Sequence, residues 1–68
     1  MKMMTEATED KLIDMKYISA YTGMTDKWFY ALIKQGRFPK PIKLGRTSRW
    51  KLSELLRWIE EQEQASNR

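Results

Sequence analysis

The sequence predicts a mainly α domain with a small β-hairpin, arranged as a winged helix-turn-helix of three helices plus a two-stranded wing. Three observations predict it. Two short segments with helical apolar spacing meet at a turn containing Gly23. A stretch bounded by Pro39 and Pro41 then alternates apolar with basic residues on either side of Gly45, as a hairpin does. A third helical stripe follows from Leu55 to Ile59. The domain is expected over residues 12–62, between a disordered N-terminal tail, 1–11, and a frayed C-terminal tail, 63–68.

Each element has a local reason. Met1 to Lys11 shows no apolar period and is rich in Thr, Glu and Lys, so order is expected to begin at the extended pair Leu12 and Ile13. Asp14 offers its carboxylate to the orphan amides of a first helix. The stripe of that helix is Met15, Ile18 and Tyr21, and Gly23 is its stop. After the turn Thr22, Gly23, Met24, Thr25 caps a second helix and Asp26 complements the positive end of its dipole. That helix runs through Lys34 or Gln35 to Gly36, with Phe29, Leu32 and Ile33 as its apolar face. From Arg37 to Pro41 the X-Pro steps force extended geometry. Ile42 and Leu44 alternate with Lys43, Gly45 opens a turn with Arg46 and Thr47, and Ser48, Arg49 and Trp50 return. The expected wing has its basic residues on one face and Ile42, Leu44 and Trp50 toward the core. Ser53 is the expected cap of a third helix with Glu54 in its first turn, and Leu55, Leu56, Trp58 and Ile59 are spaced to cover the other two helices.

Composition narrows the function. The 68 residues include no Cys and no His, which removes thiolate and imidazole metal sites and every Cys- or His-based catalytic mechanism. Three Trp, three Tyr and two Phe supply the core of a domain that has no disulfide. A chain of this size has little interior to spare for a catalytic pocket, so the reading is a binder with no cofactor and no small-molecule substrate, not an enzyme. No apolar run reaches membrane-spanning length and the acidic, polar start is unlike a signal peptide, so the cytoplasm is the expected compartment.

The formal net charge of +4 is unevenly spread. Between residues 15 and 51, Lys16, Lys27, Lys34, Arg37, Lys40, Lys43, Arg46, Arg49 and Lys51 stand against a single Asp26, a local net charge of +8, whereas the segments before and after carry −2 each. Such a distribution is the footprint of a polyanion binder, or, read more plainly, a solvated surface that keeps a small protein soluble.

The residues Thr22-Gly23-Met24-Thr25, Leu32 through Gly45 with its Gly36-Arg37-Phe38-Pro39-Lys40-Pro41 core, Arg49-Trp50, Ser53-Glu54 and Trp58-Ile59 together resemble the AlpA-like prophage regulators and the related small phage excisionases, a branch of the MerR-type winged-helix proteins. The resemblance covers roughly residues 12–60. It implies a DNA-binding protein of a phage, prophage or genomic island that regulates transcription or acts as a recombination directionality factor beside an attachment site. Its partners would be double-stranded DNA, an integrase, and other copies bound cooperatively. This chain departs from the pattern at the start of the second helix, where Lys27 and Trp28 replace small polar residues.

Candidate DNA contacts follow from the helix period. With Phe29, Leu32 and Ile33 turned inward, Asp26, Lys27, Tyr30, Ala31 and Lys34 take the opposite arc and are the major-groove candidates. Tyr30 reads equally as a phosphate contact or as a half-buried packing residue. In the wing, Lys43, Arg46, Thr47, Ser48 and Arg49 cluster at the turn, with Arg46 placed to enter a minor groove. Arg37 and Lys40 are weaker phosphate candidates, while Trp28, Trp50, Trp58 and Ile59 are assigned to the core or its boundary. The competing reading is a protein-interaction module whose basic face binds an acidic partner such as an integrase or regulator domain.

Overall fold

A computed structural model describes residues 11–67, so all of the expected N-terminal tail except Lys11 lies outside the described residues. Among the described residues six elements follow in order: β1 (Leu12–Ile13), α1 (Met15–Thr22), α2 (Asp26–Lys34), β2 (Ile42–Leu44), β3 (Thr47–Lys51) and α3 (Leu52–Ser66). The fold is three helices with a small antiparallel sheet, as the winged helix-turn-helix reading requires. The extended pair Leu12 and Ile13 turns the expected two-stranded wing into a three-stranded sheet of order β1-β3-β2.

The helix boundaries are set by local chemistry. The Tyr17 amide donates to Asp14 Oδ1 at 2.9 Å, and the Trp28 amide donates to Thr25 Oγ1 at 3.2 Å, so each of the first two helices has its side-chain cap. Gly23 ends α1 at φ 81°, a left-handed conformation, with its amide on the Ser19 carbonyl. At the end of α2 the Gly36 amide bonds the Ile33 carbonyl and the Arg37 amide reaches back to Leu32 at 2.8 Å, the paired bonds of a Schellman motif. A Cβ added at Gly23 would meet nothing within 4 Å. Gly23→Ala is therefore expected to cost about 1–2 kcal/mol from backbone strain alone. A thermal melt indistinguishable from the wild type would contradict this.

The core is Ile13, Met15, Ile18, Phe29, Leu32, Phe38, Trp50 and Leu55, with Tyr17, Ile33, Leu52, Trp58 and Ile59 packed around it. Phe38, from the irregular stretch between α2 and β2, sits at its centre. Its ring centroid lies 4.9 Å from that of Phe29, 5.0 Å from Trp58 and 6.4 Å from Trp50.

Four apolar residues assigned inward are exposed instead. Tyr21 is 53% exposed because the buried stripe of α1 continues from Met15 and Ile18 toward the half-buried Thr22, leaving Tyr21 to stack on Tyr17 along the flank. Ile42 and Leu44 are exposed because of strand parity. Ile42 pairs with Arg49 and Leu44 with Thr47, and these lie on the face opposite Trp50, which pairs with Ile13. The basic residues are thus split between the two faces, Lys43 sharing the Trp50 side with Ser48. Leu56 is also exposed, one position round the helix from the buried Leu55.

The start and end of α3 differ from expectation too. Ser53 does not cap it: the helix begins at Leu52, with Lys51 in the cap position and no side-chain cap bond. The reason lies in the sheet. The Leu52 amide donates to the Lys11 carbonyl at 2.8 Å, so an orphan donor at the helix start is satisfied by the backbone beside β1. The helix then continues past the expected end at Gln62 to Ser66.

Candidate functional site

On α2, Lys27, Tyr30, Ala31 and Lys34 are spaced three and four apart, which places them on one arc, opposite the buried Phe29 and Leu32. All of them are exposed. Tyr30 is 49% exposed, so half of its surface faces solvent and half is covered, which fits either of its two expected roles. Asp26 is exposed as well but lies toward α1, in a shallow depression with Met15, Lys16, Ser19 and Thr25. Its carboxylate accepts the Lys27 amide at 2.8 Å, so it serves the first turn of its own helix.

The wing candidates divide by how far their polar atoms are already engaged. Arg46, at the turn, is exposed and makes no side-chain hydrogen bond among the described residues. Lys43 Nζ donates to Ser48 Oγ at 3.1 Å, which leaves the hydroxyl proton of Ser48 available to an external acceptor. Thr47 Oγ1 donates its one proton to the Leu44 carbonyl at 2.8 Å, so the same hydroxyl can only accept unless that bond breaks. Arg49 is half-buried, with Nη1 donating to the Ser48 carbonyl at 2.9 Å, and four of the five guanidinium N–H groups stay free of that bond.

What joins α2 to the wing is a clamped linker. Trp50 Nε1 donates to the Pro39 carbonyl at 2.9 Å and Trp58 Nε1 donates to the Arg37 carbonyl at 2.8 Å. Between those two bonds the Phe38 side chain is buried. Three aromatic side chains thus anchor the linker between α2 and the wing. Arg37 and Lys40 remain exposed on this linker.

Sequence reasoning missed two features. Phe38 gave no periodic signal, although a lone aromatic among Arg, Pro and Lys has few other uses than as an anchor. An open apolar depression of about 390 Å³, lined by Tyr21, Thr22, Trp28, Trp58, Ile59 and Gln62, was also not apparent, because it forms between three elements. Trp28 stands at its edge, 40% exposed, with its ring edge-on to Phe29 and Trp58. No helix among the described residues is long and apolar enough to cross a membrane.

The model of one protein family, described as prophage CP4-57 regulatory protein (AlpA), matches residues 11–63, most of the chain. No curated protein and no solved structure gives a significant match.

Proposed function

Because the chain belongs to the family of the prophage CP4-57 regulatory protein AlpA, we propose that it is a cytoplasmic, non-enzymatic, sequence-directed DNA-binding protein of a prophage or mobile element. It acts as an excisionase, as a transcriptional regulator, or as both. One observation carries the reading: an exposed basic helix arc is joined to a basic wing through a linker whose Pro39 and Arg37 carbonyls accept bonds from Trp50 and Trp58. Two reading elements joined in this way suit adjacent grooves of one duplex.

In this arrangement the α2 arc enters the major groove. Lys27 and Lys34 donate to guanine edges or phosphates, Tyr30 gives one hydrogen bond, and Ala31 is small enough to meet a thymine methyl. Asp26 stays at the rim, turned to α1. Arg46 enters the neighbouring minor groove, and Lys43, Ser48 and Arg49 hold phosphates, with Thr47 beside them. A single module of this kind buries about 600 to 1,000 Å² on DNA, so its binding is modest and falls steeply with salt.

The test is fluorescence anisotropy against duplex from the region flanking its own gene and against random duplex, each over a salt series. Tighter, cooperative binding to the first is expected. Arg46→Ala is expected to lower the slope of log K against log salt by about one. Equal and weak binding to both duplexes, gone at physiological salt, would remove the sequence-directed reading and leave the basic face to an acidic protein.

A further inference from the structure

Lys11, the first described residue, touches two helices at once. Its carbonyl accepts the Leu52 amide at the start of α3 at 2.8 Å, and its ammonium stands over the Tyr17 ring of α1, 5.4 Å from the centroid. Tyr17 stacks on Tyr21 one turn further along, with ring centroids 6.1 Å apart, and Tyr21 lines the open depression shared with Trp28, Trp58 and Ile59. The polypeptide therefore enters the described fold between α1 and α3, two of the three helices that wall this depression.

The lining holds no charged residue, so charge does not select what covers it. Its walls are largely aromatic and uncovered, Tyr21 being 53% and Trp28 40% exposed. A fitting occupant is apolar, adapts to an open and irregular outline, and is brought there by something other than charge. Residues 1–10 meet all three conditions. Met1, Met3 and Met4, three of the five methionines of the chain, are the large apolar side chains of that stretch. Methionine is unbranched, fills irregular gaps and gains from contact between its sulfur and aromatic ring edges. The tether also has the reach. Ile59 and Gln62 lie about 10 and 15 Å along α3 from Leu52, while the stretch from Thr5 to Asp10 spans up to about 20 Å when extended. Tethering at this length sets an effective concentration on the order of millimolar, so a modest contact suffices.

We infer that the Met3–Met4 pair of this chain seats in the depression between α1, α2 and α3, covering Tyr21, Trp28 and Trp58. The segment ahead of β1 then completes the apolar packing on its open side, with Glu6, Glu9 and Asp10 in the tether and outside the depression. The expectation of a disordered tail rests on the lack of an apolar period over residues 1–11, but two adjacent side chains at the end of a tether need no period. The contact uses no residue of the α2 arc or of the wing, so it stands or falls apart from the function proposed above.

The test is NMR of the full chain with isotope-labelled methionine methyl groups. The ε-methyls of Met3 and Met4 are expected upfield of their position in the urea-unfolded chain, shifted by the ring currents of the depression, with Overhauser contacts to the Trp28 and Trp58 indoles. Tyr21→Ala removes one exposed wall and is expected to move both methyls toward the unfolded position, while the methyl of Met15, in the core, stays in place and reports that the fold is intact. Met3→Ser with Met4→Ser, outside the core, is expected to shift the indole N–H resonances of Trp28 and Trp58 and to leave that of Trp50 unchanged. Methyls of Met3 and Met4 at the unfolded position, or methyls that ignore Tyr21→Ala, would overturn the inference. So would ring-current shifts that vanish on dilution, since the occupant would then be the segment of another copy.

Discussion

Phe38→Ala is expected to leave the protein largely unfolded at 25 °C. The ring is 4% exposed and lies among Phe29, Trp50 and Trp58, so truncation opens a cavity walled by aromatic groups that have no short side chain to collapse into it. Losses of about 3–5 kcal/mol are usual for burying Ala where a Phe was packed. A single core in a chain of this length rarely supplies more than about 3–5 kcal/mol in total, so one substitution consumes the whole margin. Far-UV circular dichroism and a urea titration measure it directly. Tyr30→Ala, on the exposed arc of α2, is the control and is expected to fall within about 0.5 kcal/mol of wild type. A Phe38→Ala chain that melts within a few degrees of wild type would show that the ring is dispensable to the core.

Trp50→Phe is expected to be the second most damaging change among the clamp residues, at about 2–4 kcal/mol. Two losses combine. The indole is 1% exposed, so a smaller ring leaves a void, and the Pro39 carbonyl loses the donor now 2.9 Å away. Trp58→Phe removes the equivalent bond to the Arg37 carbonyl at a more exposed position, where water can replace the donor, and is expected to cost only about 1 kcal/mol. Urea midpoints at unchanged m would rank the two. Equal midpoints would mean that the burial of Trp50, and not its hydrogen bond, has been overvalued.

The features legible in the sequence are those decided within about four residues of chain. Asp14, Gly23, Thr25 and Gly36 act on amides and carbonyls one turn away, so residue type and spacing suffice to place them. The arc of Lys27, Tyr30, Ala31 and Lys34 follows from a single helical period in the same way. What a strand or a cap does depends instead on a distant partner. Ile42 and Leu44 alternate correctly, yet which parity faces the core is settled by the pairing of Ile13 with Trp50. Ser53 has the composition of a cap, but the Lys11 carbonyl reaches the start of α3 from the far end of the domain. Phe38 belongs to no period at all. On the candidate site, spacing places Asp26 near the α2 arc, and only its neighbourhood with Lys16 and Ser19 on α1 shows that it turns aside.

The pairing of β1 with β3, together with the bond from Leu52 to Lys11, closes the polypeptide into a ring of about forty residues, inside which the first two helices and the wing are all contained. Helices α1 and α2 are expected to meet early, through local contacts, while the ring closes only when its two ends find each other across that whole length. The slow step of folding is therefore expected to be the arrival of Leu12 and Ile13 at the edge of β3, before which the last helix lacks its starting bond. A domain whose last helix takes its starting bond from beside its first strand is expected to have no half that folds alone.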